Sequence, residues 1–462
     1  MLNRYATDKT AVGPICGVRK GGALMRLLIC AGLVLTLAQG SVRAADQAIA
    51  PGTVIDQSNW QQYQQYMPEG MKAVFRGDHF WHMPQGFKIK VGPTKPILLP
   101  KFYDAATEKN GNTVTLKQTP DGGYIAQGYK GGLPFPDPLK GDSAFTGQRV
   151  FWNEWYRFHP RVEEAPNCTY VIDRFGNMTR TADTTIVFSQ LAYVTDPGYP
   201  ATDPHAGPYY YVAHFEQTAP EAGKYLSVLS LLMKDPMAEP ELYMFVPTLR
   251  RSLRLSQSAR CAPLYGSDGV YDDMFEGPPA LPQLFKIKYL GEKKILSLTH
   301  AAVAGFNSCG SSTNLDPKYY YLGSKGVVPF PNETSGEWEL RDVYVVSMKR
   351  LPQYAGGYCY GNRVLYIDKE NYFPDQFDLY DAAGKLYKWF AVLMTPTAMP
   401  GSPGNEVLTI AGWNTAYIVN FQDEHASVYI GLHGCVDSQC SAGGYDDATR
   451  WALPEGLDKV MQ

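Results

Sequence analysis

Apolar and polar residues alternate along most of the chain beyond residue 80, and this period of two predicts β-strands with one buried face. Residues 87–91 and 113–117 show the pattern first. It recurs at residues 170–175, 185–194, 209–215, 225–233, 241–246, 251–256, 284–289, 339–348, 363–368, 377–380, 386–393, 416–421 and 427–432.

The clearest helical signal before the first strands lies in residues 50–82, where Asp56 to Asn59 provide capping groups for a helix that reaches Phe75. Pro68 and Gly70 interrupt this stretch. Strands do not alternate regularly with helices of 10 to 15 residues, which disfavours a parallel α/β fold, and the lack of a fixed repeat disfavours a propeller. We therefore expect a mainly β protein, with one large, strongly curved antiparallel sheet and a few covering helices.

The first 44 residues have the three parts of a secretory signal peptide. Met25 and Arg26 precede an apolar run over residues 27–38, and small residues follow up to Ala44. About a dozen apolar residues are too few to cross a bilayer core of roughly 30 Å. The sequence thus predicts a periplasmic protein with cleavage near Ala44 and a single domain over residues 45–462, whether translation begins at Met1 or at Met25.

Composition narrows the choice of partners. The chain of 462 residues is 45% hydrophobic and only 19% charged, which excludes a disordered protein. It has 42 basic and 45 acidic residues, which gives no electrostatic basis for binding nucleic acid. Removal of the signal takes away six basic residues and one acidic residue, so the net charge moves from −3 to about −8.

Six cysteines remain after the predicted cleavage, an even number that suits an oxidising compartment. Spacing nominates one pair, Cys435 with Cys440, and leaves open the pairing of four others: Cys168, Cys261, Cys309 and Cys359. His79 and His82 are three residues apart, but no third ligand lies near them in the sequence. We therefore predict neither a metal nor a cofactor.

No catalytic motif is present: the chain lacks a Gly-x-Ser-x-Gly elbow, a phosphate-binding loop with lysine and a zinc-protease helix. Asp272 and Asp273 are the acidic candidates. Adjacent residues on a strand point to opposite faces, so these two would form a poor acid and base pair. Ser267, Asp268 and Gly269 are typical of a turn, and no catalytic residue is predicted.

The segment of residues 243–256 is more informative, because Pro247 divides it into two strands joined by a turn. Arg250 and Arg254 share a face of the second strand. Together with the downstream acidic residues they predict a structural ion-pair latch at the rim of the sheet, formed by Arg250, Arg254, Asp268, Asp272 and Asp273. A solvated strand face is the alternative, because exposed ion pairs contribute little.

A second block, residues 364–388, predicts a meander in which an Asp-x-x-Gly turn at Asp381 joins two strands. The two blocks together resemble the outer-membrane lipoprotein-sorting (LolA/LolB-like) superfamily, in the motif residues Pro247, Arg250, Arg251, Arg254, Gly266, Ser267, Asp268, Asp272, Asp273, Tyr366, Asp368, Tyr380, Asp381, Gly384, Lys385 and Lys388. Residues 131–136 and 338–341 are similar to an uncharacterised Gram-negative exported family, domain of unknown function 1329, over most of residues 50–450.

The resemblance implies a half-barrel whose concave face holds an apolar molecule under a helical lid. It also implies an inner-membrane transporter and an outer-membrane protein as possible partners, and it supplies no catalytic residues. The chain is about twice as long as the small carriers, which argues against lipoprotein acyl chains as its cargo.

Our leading hypothesis is a periplasmic carrier of a lipid or another hydrophobic molecule, which needs no cofactor and is not an enzyme. One alternative is an exported hydrolase of polysaccharide or lipid that uses Asp272 or Asp273. Another is a carbohydrate-binding protein that uses the tyrosine triplets at residues 209–211 and 319–321. The 32 tyrosines combine an apolar body with a polar tip, so we expect an excess of them on the concave face.

Overall fold

A computed structural model describes residues 48–273, 281–302, 309–399, 406–407, 409, 412 and 414–461. Its main feature is an antiparallel sheet of 14 strands. In chain order these are β1 Val162–Ile172, β2 Met178–Gln190, β3 Tyr209–Ala219, β4 Ser227–Met233, β5 Glu241–Val246, β6 Arg251–Arg254, β7 Phe285–Ser297, β8 Glu339–Arg350, β9 Asn362–Asp368, β10 Pro374–Tyr380, β11 Leu386–Met394, β12 Asn414–Asn420, β13 His425–Gly431 and β14 Cys435–Val436.

The strand order across the sheet is β6-β5-β4-β3-β2-β1-β13-β12-β11-β10-β9-β8-β7, and the short β14 also pairs with β1. Strands β6 and β7 stand at the two ends of this order, so the sheet does not close into a barrel. The expected mainly β fold with a large, curved, open antiparallel sheet is confirmed. The residue alternation located its strands well: β5 has the predicted bounds, whereas β7 is longer than residues 284–289.

Side-chain alternation divides the sheet into a concave and a convex face. Concave-facing apolar residues from β4 near one edge and β8 near the other, such as Val228 and Met348, belong to a single continuous cluster. Helix α3 (Thr146–Trp155) contributes Phe151 and Trp152 to the same cluster. Strands so far apart in a sheet share one core only because the sheet curves around it.

The convex face is covered by earlier and later segments of the chain. A 3-10 helix at Trp60–Tyr66 and helix α1 (Glu69–Arg76) replace the single helix expected over residues 56–75. The chain divides where Pro68 precedes α1, since proline fits the start of a helix and not its interior. The first two backbone N–H groups of α1 donate to the buried Asp378 of β10, which anchors this helix to the sheet.

The remaining helices are α2 (Lys101–Asn110), α4 (Ala448–Trp451) and α5 (Pro454–Leu457). None of the helices in the described part of the chain has the length and apolarity needed to cross a bilayer. Four two-stranded sheets lie outside the main one. They pair Val54–Ile55 with Ile89–Lys90, Thr115–Gln118 with Tyr124–Gln127, Tyr320–Tyr321 with Phe330–Pro331, and Thr397–Ala398 with Glu406–Val407.

Three disulfides join the six cysteines of the described chain. Cys435 pairs with Cys440, the pair nominated from spacing. The sequence left the other four open, and the structure joins Cys168 to Cys309 and Cys261 to Cys359. The predicted signal peptide lies outside the described residues.

Candidate functional site

An apolar cavity of about 100 Å³ lies on the concave face near the middle of the sheet. Strands β1, β2, β3, β11, β12 and β13 form its wall, and one irregular segment closes it. The apolar lining consists of Ala165, Ile186, Phe188, Phe215, Leu264, Val270, Phe390, Val392, Ala416 and Ile418, and the remaining lining residues are Asn167, Gly269, Asp273, Tyr429 and Gly431.

The pairing of β9 to β13 determines which side chains lie next to one another on this wall. Leu365, Phe377, Phe390, Ile418 and Ser427 are paired in succession across β9 to β13, so they form one row on the concave face. Four members of the row are apolar. Because alternate residues of each strand share a face, the next concave-facing row lies two residues further along every strand.

That next row is cationic. Arg363, Leu379, Lys388, Asn420 and His425 are paired in succession across the same five strands. We call Arg363, Lys388 and His425 the cationic row. It borders the apolar wall at one end of the concave face, with Phe390 only two residues from Lys388 on β11.

The segment that closes the cavity is residues 261–273, which we call the cover segment. It begins at the disulfide between Cys261 and Cys359. Leu264, Gly269 and Val270 line the cavity from above. The segment folds back on itself through a bridge between Pro263 and Val270, so it presents a compact loop to the sheet.

Asp272 and Asp273, at the end of the cover segment, form ion pairs with Arg363. Arg363 Nη1 lies 2.9 Å from Asp273 Oδ1, and Arg363 Nη2 lies 3.3 Å from Asp272 Oδ2. The Tyr358 hydroxyl donates to Asp272 and the Tyr360 hydroxyl to Asp273, at 2.6 and 2.8 Å. Both carboxylates therefore hold the cover segment on the sheet.

Burial alone would lower the pKa of Arg363. The nearby Tyr358, Asp273 and Asp272 outweigh burial and raise this pKa above its usual value. The Arg363 side chain is fully buried, so its charge depends on these partners rather than on water.

Asp268, in the middle of the cover segment, makes a second set of contacts. His425 Nδ1 lies 2.8 Å from Asp268 Oδ2, and the Ser427 hydroxyl donates to the same oxygen at 2.7 Å. The Asn420 side-chain amide donates to Asp268 Oδ1 at 3.1 Å. The contacts join the cover segment to β12 and β13.

The electrostatics of this contact favour a charged pair. Burial acts to raise the pKa of Asp268, but its hydrogen bonds with His425, Ser427 and Asn420 and the histidine charge prevail and lower it. The hydrogen bond with Asp268 is the largest cause of the raised pKa of His425. Ser427 hydrogen-bonds Asp268 directly and not the imidazole, so the three residues are not arranged as a nucleophilic triad.

Lys388, between the two acidic contacts, is only 4% exposed. Its Nζ donates to the backbone carbonyl of Asp268 at 2.6 Å and lies 4.7 Å from the centre of the Tyr387 ring. Within the described residues, no carboxylate lies within the 4.0 Å salt-bridge distance of this ammonium group. Burial is the largest cause of its lowered pKa.

The two arginines of the predicted ion-pair latch do not bind its three aspartates. Arg254 pairs with Glu241 on the neighbouring β5 at 2.9 Å, and Arg250 is exposed at the turn after Pro247. The prediction that Arg250 and Arg254 bind the three aspartates is wrong, because their strand is the edge of the sheet farthest from β9 to β13 in the strand order. The aspartates Asp268, Asp272 and Asp273 do belong to one contact region, but they bind His425 and Arg363.

Asp272 and Asp273 also differ from the expected strand geometry. They lie in a short 3-10 turn, Tyr271–Asp273, and not on a strand, so both carboxylates reach the same arginine. These contacts engage them structurally, which argues against the hydrolase alternative. His79 and His82, to which the sequence assigned no metal, make separate contacts: the His79 ring packs against Phe421, whereas His82 contacts the carbonyl of Met83.

Tyrosines gather on the concave face: 15 of those in the described residues belong to its cluster or pack against it, and seven belong to the largest convex cluster. Among the tyrosines of the described residues, Tyr429 alone borders the cavity, and the other tyrosines of the concave cluster pack elsewhere in it. The triplet residues Tyr210, Tyr211 and Tyr320 are at most 4% exposed. Buried rings cannot stack on a sugar, so the proposed carbohydrate platforms are not supported.

A family model described as "Protein of unknown function (DUF1329)" matches residues 54–429. The chain belongs to this family. The membership predicted from residues 131–136 and 338–341 is thereby confirmed. No curated protein matches this DUF1329 family member.

Several solved structures are similar to this DUF1329 chain at low sequence identity. A domain assigned to outer membrane lipoprotein sorting in Vibrio parahaemolyticus is 12% identical, with a TM-score of 0.44 over 66% of this chain and 98% of that one. A DUF1329 family protein from Desulfovibrio piger ATCC 29098 is 12% identical, with a TM-score of 0.43 over 67% and 97%. A LolA superfamily protein from Nitrosomonas europaea is 10% identical, with a TM-score of 0.35 over 63% and 94%.

Proposed function

We propose that the protein is a periplasmic carrier that binds a lipid or another hydrophobic molecule between the concave face and the cover segment. The observation that carries the proposal is the cavity, because five of the six strands in its wall contribute apolar side chains and it lies beneath a single segment. Transfer between an inner-membrane transporter and an outer-membrane protein belongs to the same proposal, and the export signal predicted from the sequence of residues 1–44 supports its periplasmic location.

The volume of the cavity sets a condition on this function. About 100 Å³ is less than the roughly 300–1,000 Å³ of pockets that hold small ligands. A lipid-sized ligand therefore requires the cover segment to move away from the sheet. In this proposal the structure is the closed form of the carrier.

Apolar burial can supply the affinity. Each Å² of apolar surface removed from water contributes about 25 cal/mol, so an acyl chain that replaces the cover segment on the wall needs no catalytic group or metal to bind. The apolar side chains of the cover segment, Leu264 and Val270, leave the same wall when the ligand enters. Only the difference between the two buried areas drives binding.

The test is uptake of cis-parinaric acid, a fluorescent fatty acid, by the mature protein, together with native mass spectrometry of the protein as purified. We expect saturable uptake and a co-purifying hydrophobic molecule. Ala416→Phe fills the cavity and should reduce uptake at least tenfold, whereas Leu249→Phe, at an exposed turn, serves as the control and should not. Absence of both uptake and co-purifying ligand would refute the carrier function.

A further inference from the structure

The cover segment places carboxylates where the cationic row meets the apolar wall. Asp272 and Asp273 contact Arg363, and Asp268 contacts His425. Asp273 also borders the cavity itself. An anionic group in this region thus lies beside the apolar space and against buried cations at the same time.

Lys388 differs from Arg363 and His425 in the groups that it contacts. Its ammonium group is buried between the two acidic contacts and is bound to a carbonyl and near tyrosine rings, without a carboxylate in salt-bridge distance among the described residues. Buried ammonium groups are ordinarily paired with an anion. Of the three cations of the row, Lys388 therefore has no carboxylate at salt-bridge distance in the described residues, and Asp273, Asp268 and Asp423 act on it only at longer range.

Opening of the cover segment would take the carboxylate partners away from the other two cations of the row as well. The segment must leave the wall before a lipid-sized ligand can enter, and its aspartates would then move away from Arg363 and His425. Arg363 is fully buried, and loss of the partner of a buried charge lowers the stability of that state roughly a hundredfold or more. A ligand with its own anionic group would restore the lost contacts, whereas an uncharged ligand would not.

We propose that the ligand is an anionic amphiphile, whose apolar chain lies on the wall formed by Phe390, Val392 and Ile418 and whose carboxylate or phosphate head binds Arg363, Lys388 and His425. In the closed form, the cover-segment aspartates occupy the place of this head group. The inference rests on the proposed carrier function and adds the chemical class of the ligand.

The row also explains how the head group would reach its site. His425 is the most accessible of the three cations, with its side chain 29% exposed, whereas Lys388 and Arg363 lie progressively deeper. Because the three residues are in register on β13, β11 and β9, an incoming head group would meet them in that order. Asn420, between His425 and Lys388, supplies an uncharged hydrogen-bond donor.

The experiment compares cis-parinaric acid with its methyl ester, which has the same chain and no charge. We expect the acid to bind the mature protein at least tenfold more tightly than the ester. Lys388→Met and His425→Gln should each remove most of this difference, measured as the ratio of acid affinity to ester affinity within the same variant. The exposed Lys385→Gln, in the turn before β11, is the matched control and should preserve the difference.

Two further arms identify the source of the affinity. Dodecyl phosphate should displace the acid, whereas inorganic phosphate and acetate at the same concentration should not, because the head alone lacks the apolar contribution. Equal binding of acid and ester, or a preference for the acid that survives both substitutions, would overturn the inference and leave the carrier function standing. Failure of both probes to bind would instead overturn the carrier function and the inference with it.

Discussion

The contact between Arg363 and the end of the cover segment gives the sharpest energetic prediction. Arg363→Gln removes the cation and leaves Asp272 and Asp273 buried, at 2% and 8% exposure, with uncharged donors such as the two tyrosine hydroxyls and the Val270 backbone N–H. Breaking one side of a buried ion pair costs about 3–5 kcal/mol. We expect the free energy of unfolding to fall by that amount in urea titrations followed by tryptophan fluorescence, with the disulfides intact.

A double-mutant cycle separates this contact from general disruption. Asp273→Asn in the Arg363→Gln background should recover part of the loss, with a coupling energy of about 1.5–3 kcal/mol between the two positions. The control is Lys294→Gln, which removes an ion pair with Asp342 whose side chains are 39% and 54% exposed, and it should cost at most about 1 kcal/mol. Equal effects of Arg363→Gln and Lys294→Gln would refute the buried-anchor reasoning.

Three more predictions follow from the contacts around the cover segment and the convex helix. The hydrogen bond with Asp268 raises the pKa of His425. The stabilising contribution of this contact is therefore complete below the ordinary histidine pKa of 6.5 and is lost as the pH rises through the higher value. The urea midpoint should fall over that pH range, and it should fall less in His425→Gln. Replacing Cys261 and Cys359 by serine should lower the unfolding free energy by about 2–5 kcal/mol and accelerate parinaric acid release in stopped-flow fluorescence, and an unchanged release rate would show that this disulfide does not restrain the cover segment. Gly70→Ala places a Cβ against the Trp389 side chain and should cost about 1–3 kcal/mol or more, whereas Gly356→Ala, with nothing within 4 Å, should leave the thermal midpoint nearly unchanged.

The fold was accessible from the sequence because alternation is local. Each strand has one face toward a core, so apolar residues at every second position identify it without knowledge of its neighbours. The Asp-x-x-Gly turn at Asp381 and the break at Pro247 were likewise readable, because turn chemistry depends on a few adjacent residues. Helix α3 was not predicted, since nearly all of its residues are buried and it lacks a polar face, and α2 was not predicted, since Tyr103 is its only buried residue and it lacks an apolar stripe.

Only half of the candidate site could be predicted from the sequence. Its aspartates lie close together in the sequence and were singled out, but their partners were sought nearby, at Arg250 and Arg254. The observed partners, Arg363 and His425, are 90 or more residues away and are brought close by strand order and register. The sequence did contain one signal of the site. Lys388 lies two residues before Phe390 near the start of β11, so it places a charged side chain on the face of the strand that is otherwise apolar.

The most direct test of the account is photo-crosslinking of the mature protein with a diazirine-labelled fatty acid, followed by peptide mapping. The account predicts labelling of concave-facing positions on β11 to β13, such as Phe390 and Ile418, and of the cover segment near Val270, with loss of labelling in Ala416→Phe. Labelling confined to the convex face, or labelling that Ala416→Phe does not reduce, would contradict the claim that the concave cavity binds the ligand.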